Sequence, residues 1–155
     1  MREVERKFLV NSDKFKAEAK AEMDIKQGFL STDPERTVRV RLQNSSGKIT
    51  VKGISDQAGI SRFEWERDIT EHEARQLLDL CKGTIIAKTR YRIPYGKHVF
   101  EVDVFAGANA GLIVAEVELE EPDEPFEKPT WLGKEVTGDP KYYNAQLSIN
   151  TYNQW

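Results

Sequence analysis

From Glu3 to Glu120 the chain repeatedly places a charged side chain two residues from the next, with an apolar residue between. In a strand, residues two apart share a face, so this period writes a charged and an apolar face onto each strand. The first run sets Glu3, Glu5 and Lys7 against Val4 and Phe8. Further on, Arg39 and Arg41 oppose Val38, Val40 and Leu42, and Lys48, Thr50 and Lys52 oppose Ile49 and Val51. Arg62, Glu64, Glu66 and Asp68 oppose Phe63, Trp65 and Ile69. Lys88, Arg90 and Arg92 oppose Thr89, Tyr91 and Ile93, and Glu101 and Asp103 oppose Phe100, Val102 and Val104. Last come Glu116, Glu118 and Glu120 against Ala115, Val117 and Leu119.

The pattern predicts strands near 2–10, 25–32, 36–44, 47–53, 60–69, 85–94, 97–106 and 112–120. Asn44-Ser45-Ser46-Gly47 and Tyr95-Gly96 read as hairpin turns. Eight strands in hairpin succession point to a closed or nearly closed antiparallel sheet. Helices are expected at 12–22, at 71–82 and from Asp139-Pro140 to about Asn150. The second has a capping box in Thr70 and Glu73, a C′ glycine in Gly83, and Cys81 on its apolar stripe with Ala74, Leu77 and Leu78. No repeat or second domain is visible, so 1–155 reads as one domain.

Alternation alone fits a barrel with a charged exterior as well as one with a charged interior. The polar faces, however, carry long charged residues in same-sign blocks and almost no Ser, Asn or Gln. Like charges along or across strands repel, so such blocks call for a charged partner. A basic block suits a polyanion, and an acidic one suits divalent cations. If both blocks face a common interior, that space suits a metal–polyphosphate complex, and the apolar faces need covering from outside.

Composition removes other classes. A net charge of −3 argues against a nucleic-acid partner. No apolar run approaches the roughly 20 residues of a membrane span, and Met1-Arg2-Glu3-Val4-Glu5 is unlike a signal peptide. A single cysteine excludes an internal disulfide and suits the cytoplasm, while two histidines are too few for a structural zinc site. Any metal would be held by oxygen.

Glu3-Val4-Glu5-Arg6-Lys7, within the first strand, resembles the E-x-E-x-K signature of the CYTH superfamily, the triphosphate tunnel metalloenzymes. Arg39-Val40-Arg41, Thr50-Val51-Lys52, Glu64-Trp65-Glu66, Lys88-Thr89-Arg90, Glu101-Val102-Asp103 and Glu116-Val117-Glu118 follow in the order of that family. Glu135 to Asp139 with Tyr142-Tyr143-Asn144 resembles its closing segment, whereas Phe29 stands where a Tyr is expected.

The resemblance implies an α+β, mainly β fold. An eight-stranded antiparallel closed barrel would have a charged interior, helices over the outside and a C-terminal plug helix. It also implies a divalent metal, Mg²⁺ or Mn²⁺ in one or two ions, and a linear triphosphate without settling which; the lack of residues resembling a nucleoside pocket favours inorganic tripolyphosphate. A cyclase, a nucleoside or thiamine triphosphatase and a non-catalytic polyphosphate-binding module remain alternatives. On that reading Lys7, Arg39, Arg41, Lys52, Lys88 and Arg90 bind phosphate oxygens. Glu3, Glu5, Glu116 and Glu118 hold metal. Glu64, Glu66, Lys88 and Asp103 are the catalytic candidates; the acids, with Glu101, would orient water, bind a second ion or pair with the basic rows. Lys134 and Lys141 are weaker substrate contacts. His72 and His98 are expected in solvent, Phe63, Trp65, Tyr91 and Phe100 beneath helices, and a second copy of the chain over an exposed apolar strand face.

Overall fold

Each of the eight strands expected from sequence forms in the computed structural model, which describes residues 2–155. The elements are β1 (Arg2–Val10), α1 (Phe15–Glu18), β2 (Ala21–Ser31), β3 (Arg36–Gln43), β4 (Ser46–Ser55), β5 (Ser61–Ile69) and α2 (Glu71–Leu78). Then come β6 (Lys82–Tyr95), β7 (His98–Phe105), β8 (Ile113–Glu118), β9 (Leu132–Glu135) and α3 (Asn144–Leu147). The antiparallel order β5-β4-β3-β2-β6-β7-β8-β1 closes on itself because β1 also pairs with β5. The result is an eight-stranded barrel, to which β9 adds a short strand along the last residues of β1.

Closure puts the charged faces inside. The apolar faces point outward and are buried by what wraps them. Phe15 of α1, with Phe126 and Trp131 of the connector after β8, packs on Phe8, Phe100 and Val117. Ala74 of α2 covers Val40 and Leu42 from outside, whereas Leu147 of α3 packs on Ile86, Phe105 and Val114, which share the inward face with Lys88, Asp103 and Glu116 and close one end of the barrel. Phe15, Phe100 and Trp131 are fully buried, each contributing roughly 1.5–3 kcal/mol. The outer face of β4 and β5 has no such cover: Phe63 is 47% exposed and Trp65 lies under Arg67, 4.6 Å from its guanidinium carbon.

Several expectations need correction. The first helix is a single turn at Phe15–Glu18, because β6 extends to Tyr95 and offers a ladder to Ala21–Asp24. Lys, Glu and Ala between 14 and 22 favour helix, but pairing with β6 overrides that preference. The second helix keeps its capping box yet ends at Leu78, leaving Cys81 in the connection, packed beside Ala74. Gly83 is therefore no helix cap. Its φ of +70° belongs to the start of β6, where a Cβ would collide with the carbonyl of Ser148. The last helix is broken into 3₁₀ turns at Pro140–Tyr142 and Tyr152–Gln154 around the one-turn α3. Among the described residues, no helix is long and apolar enough to cross a membrane.

Candidate active site

The barrel encloses a cavity of about 430 Å³. Of the fourteen residues assigned to the site from sequence, counting Glu101, thirteen line it, as inward-pointing charged faces require; Asp103 lies beneath Lys88 and Arg90.

One side is basic. Arg39 and Arg41 come from β3, and Lys88 and Arg90 from β6, brought together because β2 between them carries no charge at this level. Asp103 is 1% exposed and anchors two of the four: Lys88 Nζ donates to it at 2.7 Å, and Arg90 grips it through Nε and Nη2 at 2.7 and 2.9 Å. Arg39 donates to Thr50 Oγ1 at 3.1 Å, but its buried Nε has no hydrogen-bond partner among the described residues. Burial brings Lys88 down to about 7; Asp103 opposes the change, and Arg90 and Arg41 reinforce it. Arg41 is likewise lowered by burial and by Arg39 and Arg90. A guanidinium does not give up its proton at neutral pH, so that pressure remains as repulsion. Four basic side chains thus share one wall, with hydrogen-bond acceptors for only some of their donors.

The other side is acidic. Glu101 and Lys7 both face Glu116 across the sheet, and Glu5 faces Glu118. Burial, then Glu116 and Glu3, push Glu5 up to about 8. Glu116 goes the opposite way: against the effect of burial, Lys7, Arg90 and Lys88 hold it well below the ordinary carboxylate range. Lys7 Nζ sits 3.2 Å from Glu116 and 3.9 Å from Glu5. Glu3 is committed elsewhere, to Lys52 at 2.9 Å and Arg62 at 3.7 Å. Burial and the neighbouring Glu3 raise Glu64 to about 7, and Glu66 accepts from Thr50 at 2.8 Å.

Sequence reasoning passed over three contributors. Gln27 on β2 is fully buried, accepts from Arg41 Nε at 2.8 Å and donates to Asn144 at 2.7 Å. Asn144 also accepts from Lys88 at 3.0 Å, and with Tyr143, Ala145 and Gln146 it lines the cavity. The C-terminal segment thus reaches the basic wall through an amide. Arg62, quoted only as part of a face, joins Glu3 and lies 5.8 Å from the ring of Tyr143. Gln27 was detectable as the only polar side chain between Ile25 and Phe29 on one strand face. Lys134 is exposed and Lys141 sits 4.0 Å over Trp155, both away from the cavity. His72 is exposed as expected, but His98 is not: it pairs with Glu124 against Phe126.

Among the described residues, no group of three or more acidic, His or Cys side chains is arranged around a common point for a metal. The donor chemistry nonetheless fits a divalent ion. Glu5 and Glu116 are two half-buried carboxylates close enough to shift one another, and hard cations take oxygen ligands of this kind. Glu3 could join them only by leaving Lys52.

Known proteins resemble this chain in sequence and in fold. A model of the CYTH domain family matches residues 1–145. A protein of Acetivibrio thermocellus named inorganic triphosphatase is 44% identical over 152 residues, covering 97% of this chain and 96% of the relative. One of Nitrosomonas europaea with the same name is 36% identical over 155 residues, covering 97% and 99%. The crystal structure of an inorganic triphosphatase matches with a TM-score of 0.67 at 32% identity, covering 94% of this chain and 97% of that one.

Proposed function

Since the chain belongs to the CYTH domain family, we propose that it hydrolyses a linear triphosphate, with inorganic tripolyphosphate as its substrate, by in-line attack of water inside the barrel. The observation that carries this reading is the crowding of Arg39, Arg41, Lys88 and Arg90 on one wall, facing carboxylates across the cavity. Phosphoryl transfer asks a protein chiefly for positioning and neutralisation of charge. Arg39 and Arg41 offer planar donors to the phosphate oxygens, and Lys52 and Lys7 approach from the opposite strands. Asp103 holds Lys88 and Arg90 in place from behind. Glu64 and Glu66 stand where a water could be oriented, and Glu64, raised to about 7, can take a proton near neutral pH.

Glu5 and Glu116 would hold a divalent ion, Mg²⁺ or Mn²⁺, with Glu3 and Glu118 as further ligands. Such an ion supplies neutralisation of the phosphates and a bound water of lowered pKa. Incubation with tripolyphosphate, pyrophosphate or ATP, with Mg²⁺ or Mn²⁺ and with chelator, tests the proposal. Phosphate release from tripolyphosphate that needs the metal is expected. If none of the three releases phosphate with either metal, the reading fails.

The proposed setting is a reducing compartment, the cytoplasm, on the strength of the single Cys81. A second copy of the chain is the partner proposed for the outer face of β4 and β5, where Phe63 is 47% exposed and Ile49, Val51 and Trp65 are only half-buried. Light scattering should return twice the chain mass, and Phe63→Lys should return it to one. A wild-type chain that is single at micromolar concentration removes that partner.

A further inference from the structure

The barrel wall has a seam along β1. Its residues Arg2–Val4 pair with β5, and Phe8 and Val10 pair with β9. Between these stretches no strand pairs with that edge among the described residues. Instead the Glu5 N–H donates to the Ile60 carbonyl at 3.0 Å, and the Lys7 N–H donates to Thr137 Oγ1 at 2.9 Å. Two loops meet over the gap, one before β5 and one after β9. Gly59 and Gly138 touch there with φ of +74° and +80°, and a Cβ on Gly59 would collide with Gly138 Cα. Glycine at both positions is what lets the loops come so close. The Tyr143 hydroxyl lies 3.1 Å from where that Cβ would sit.

The loops do not seal the gap. A recess of about 20 Å³ remains, lined by Glu3, Glu5, Lys7, Ser55 and Tyr143 and, where the loops meet, by Gly59 and Gly138. The first five of these also border the main cavity. About 10–15 Å³ is enough for one water, given two to four polar partners, which carboxylates and hydroxyls supply. The same volume is too small for a phosphate or an ion with its water shell.

We infer that this seam is a water port, delivering single waters to the Glu3–Glu5 side of the cavity while the main mouth is occupied. The inference rests on the proposed hydrolysis. Each cleaved phosphoanhydride consumes one water, yet Tyr143, Asn144 and Gln146 close one side of the cavity and a bound triphosphate obstructs the other. A separate route for water answers that need. It also accounts for a wall closed by loops rather than by a strand beside Glu5 and Lys7.

Ser55→Met, whose longer side chain fills the recess, should lower kcat for tripolyphosphate about tenfold while KM and the melting temperature stay near wild type. Ser55→Ala leaves the recess open and should keep wild-type kcat. A crystal of the wild type with tripolyphosphate and no metal should show an ordered water between Ser55 and the Glu3–Glu5 carboxylates. Unchanged kcat in a folded Ser55→Met protein overturns the port, as does a dry recess in the crystal. If the wild type releases no phosphate, the hydrolytic reading fails instead, and the crystal still decides whether the port holds water.

Discussion

Glu5→Gln will lose most of its activity and yet be harder to unfold than the wild type in alkaline, metal-free solution. Burial, with Glu116 and Glu3 nearby, pushes the Glu5 carboxyl up to about 8 from 4.5. The folded protein therefore keeps a proton that the unfolded chain releases. Below the unfolded value both states are protonated and nothing is lost. As pH rises from 4.5 towards 8 the unfolded chain gains, so stability falls, and above the folded value the full cost is present. Glutamine resembles the protonated acid and escapes this cost, on the order of a few kcal/mol at 1.36 kcal/mol per pKa unit. Denaturant melts with chelator at pH 5 and pH 9 should show the two proteins alike at the lower pH and the variant ahead at the higher. Activity with Mg²⁺ should drop roughly 10²–10³-fold, because a neutral amide cannot complete the carboxylate pair with Glu116. A variant of unchanged activity removes Glu5 from the metal site; one less stable at pH 9 removes the strain assigned to it.

The same carboxylate shows what a sequence can and cannot reveal. Parity along β1 put Glu3, Glu5 and Lys7 on one face without reference to any structure, and the ladders bear that out. It could not say which way the face points, since alternation looks the same turned inside out. That choice belongs to the residues that cover the other side. Phe15, Phe126 and Trp131 lie on a one-turn helix and an irregular connector, where no period marks them. β9 went unseen for a related reason: four residues, Leu132–Glu135, with a glycine among them, are too short to show alternation. Gln27 and Asn144 are neutral side chains in a charged site, and only the closed barrel brings them 117 positions apart in sequence to 2.7 Å. Partner choice was hidden too. Glu3, grouped with the metal ligands by type, spends its charge on Lys52 and Arg62.

Tripolyphosphate alone, with chelator and no metal, should raise the melting temperature by roughly 5–10 °C at about a hundred times its dissociation constant, about 2.7 kcal/mol of linkage for a chain of this length. Arg39, Arg41, Lys88 and Arg90 press on one another in the barrel wall, and Arg39 Nε has no partner among the described residues. An anion relieves both at once. Arg41→Met keeps much of the buried stem while removing one of the four charges and the donor to Gln27. Its own melting temperature should change little, since lost repulsion offsets the lost hydrogen bond. The shift produced by tripolyphosphate should shrink to a small fraction of the wild-type value. Inorganic phosphate, too short to span β3 and β6 together, should give a small shift in both proteins. Were Arg41→Met to keep the full shift, the basic wall would not be the polyanion receptor, and the substrate would have to be held by Lys7 and Lys52 on the other side.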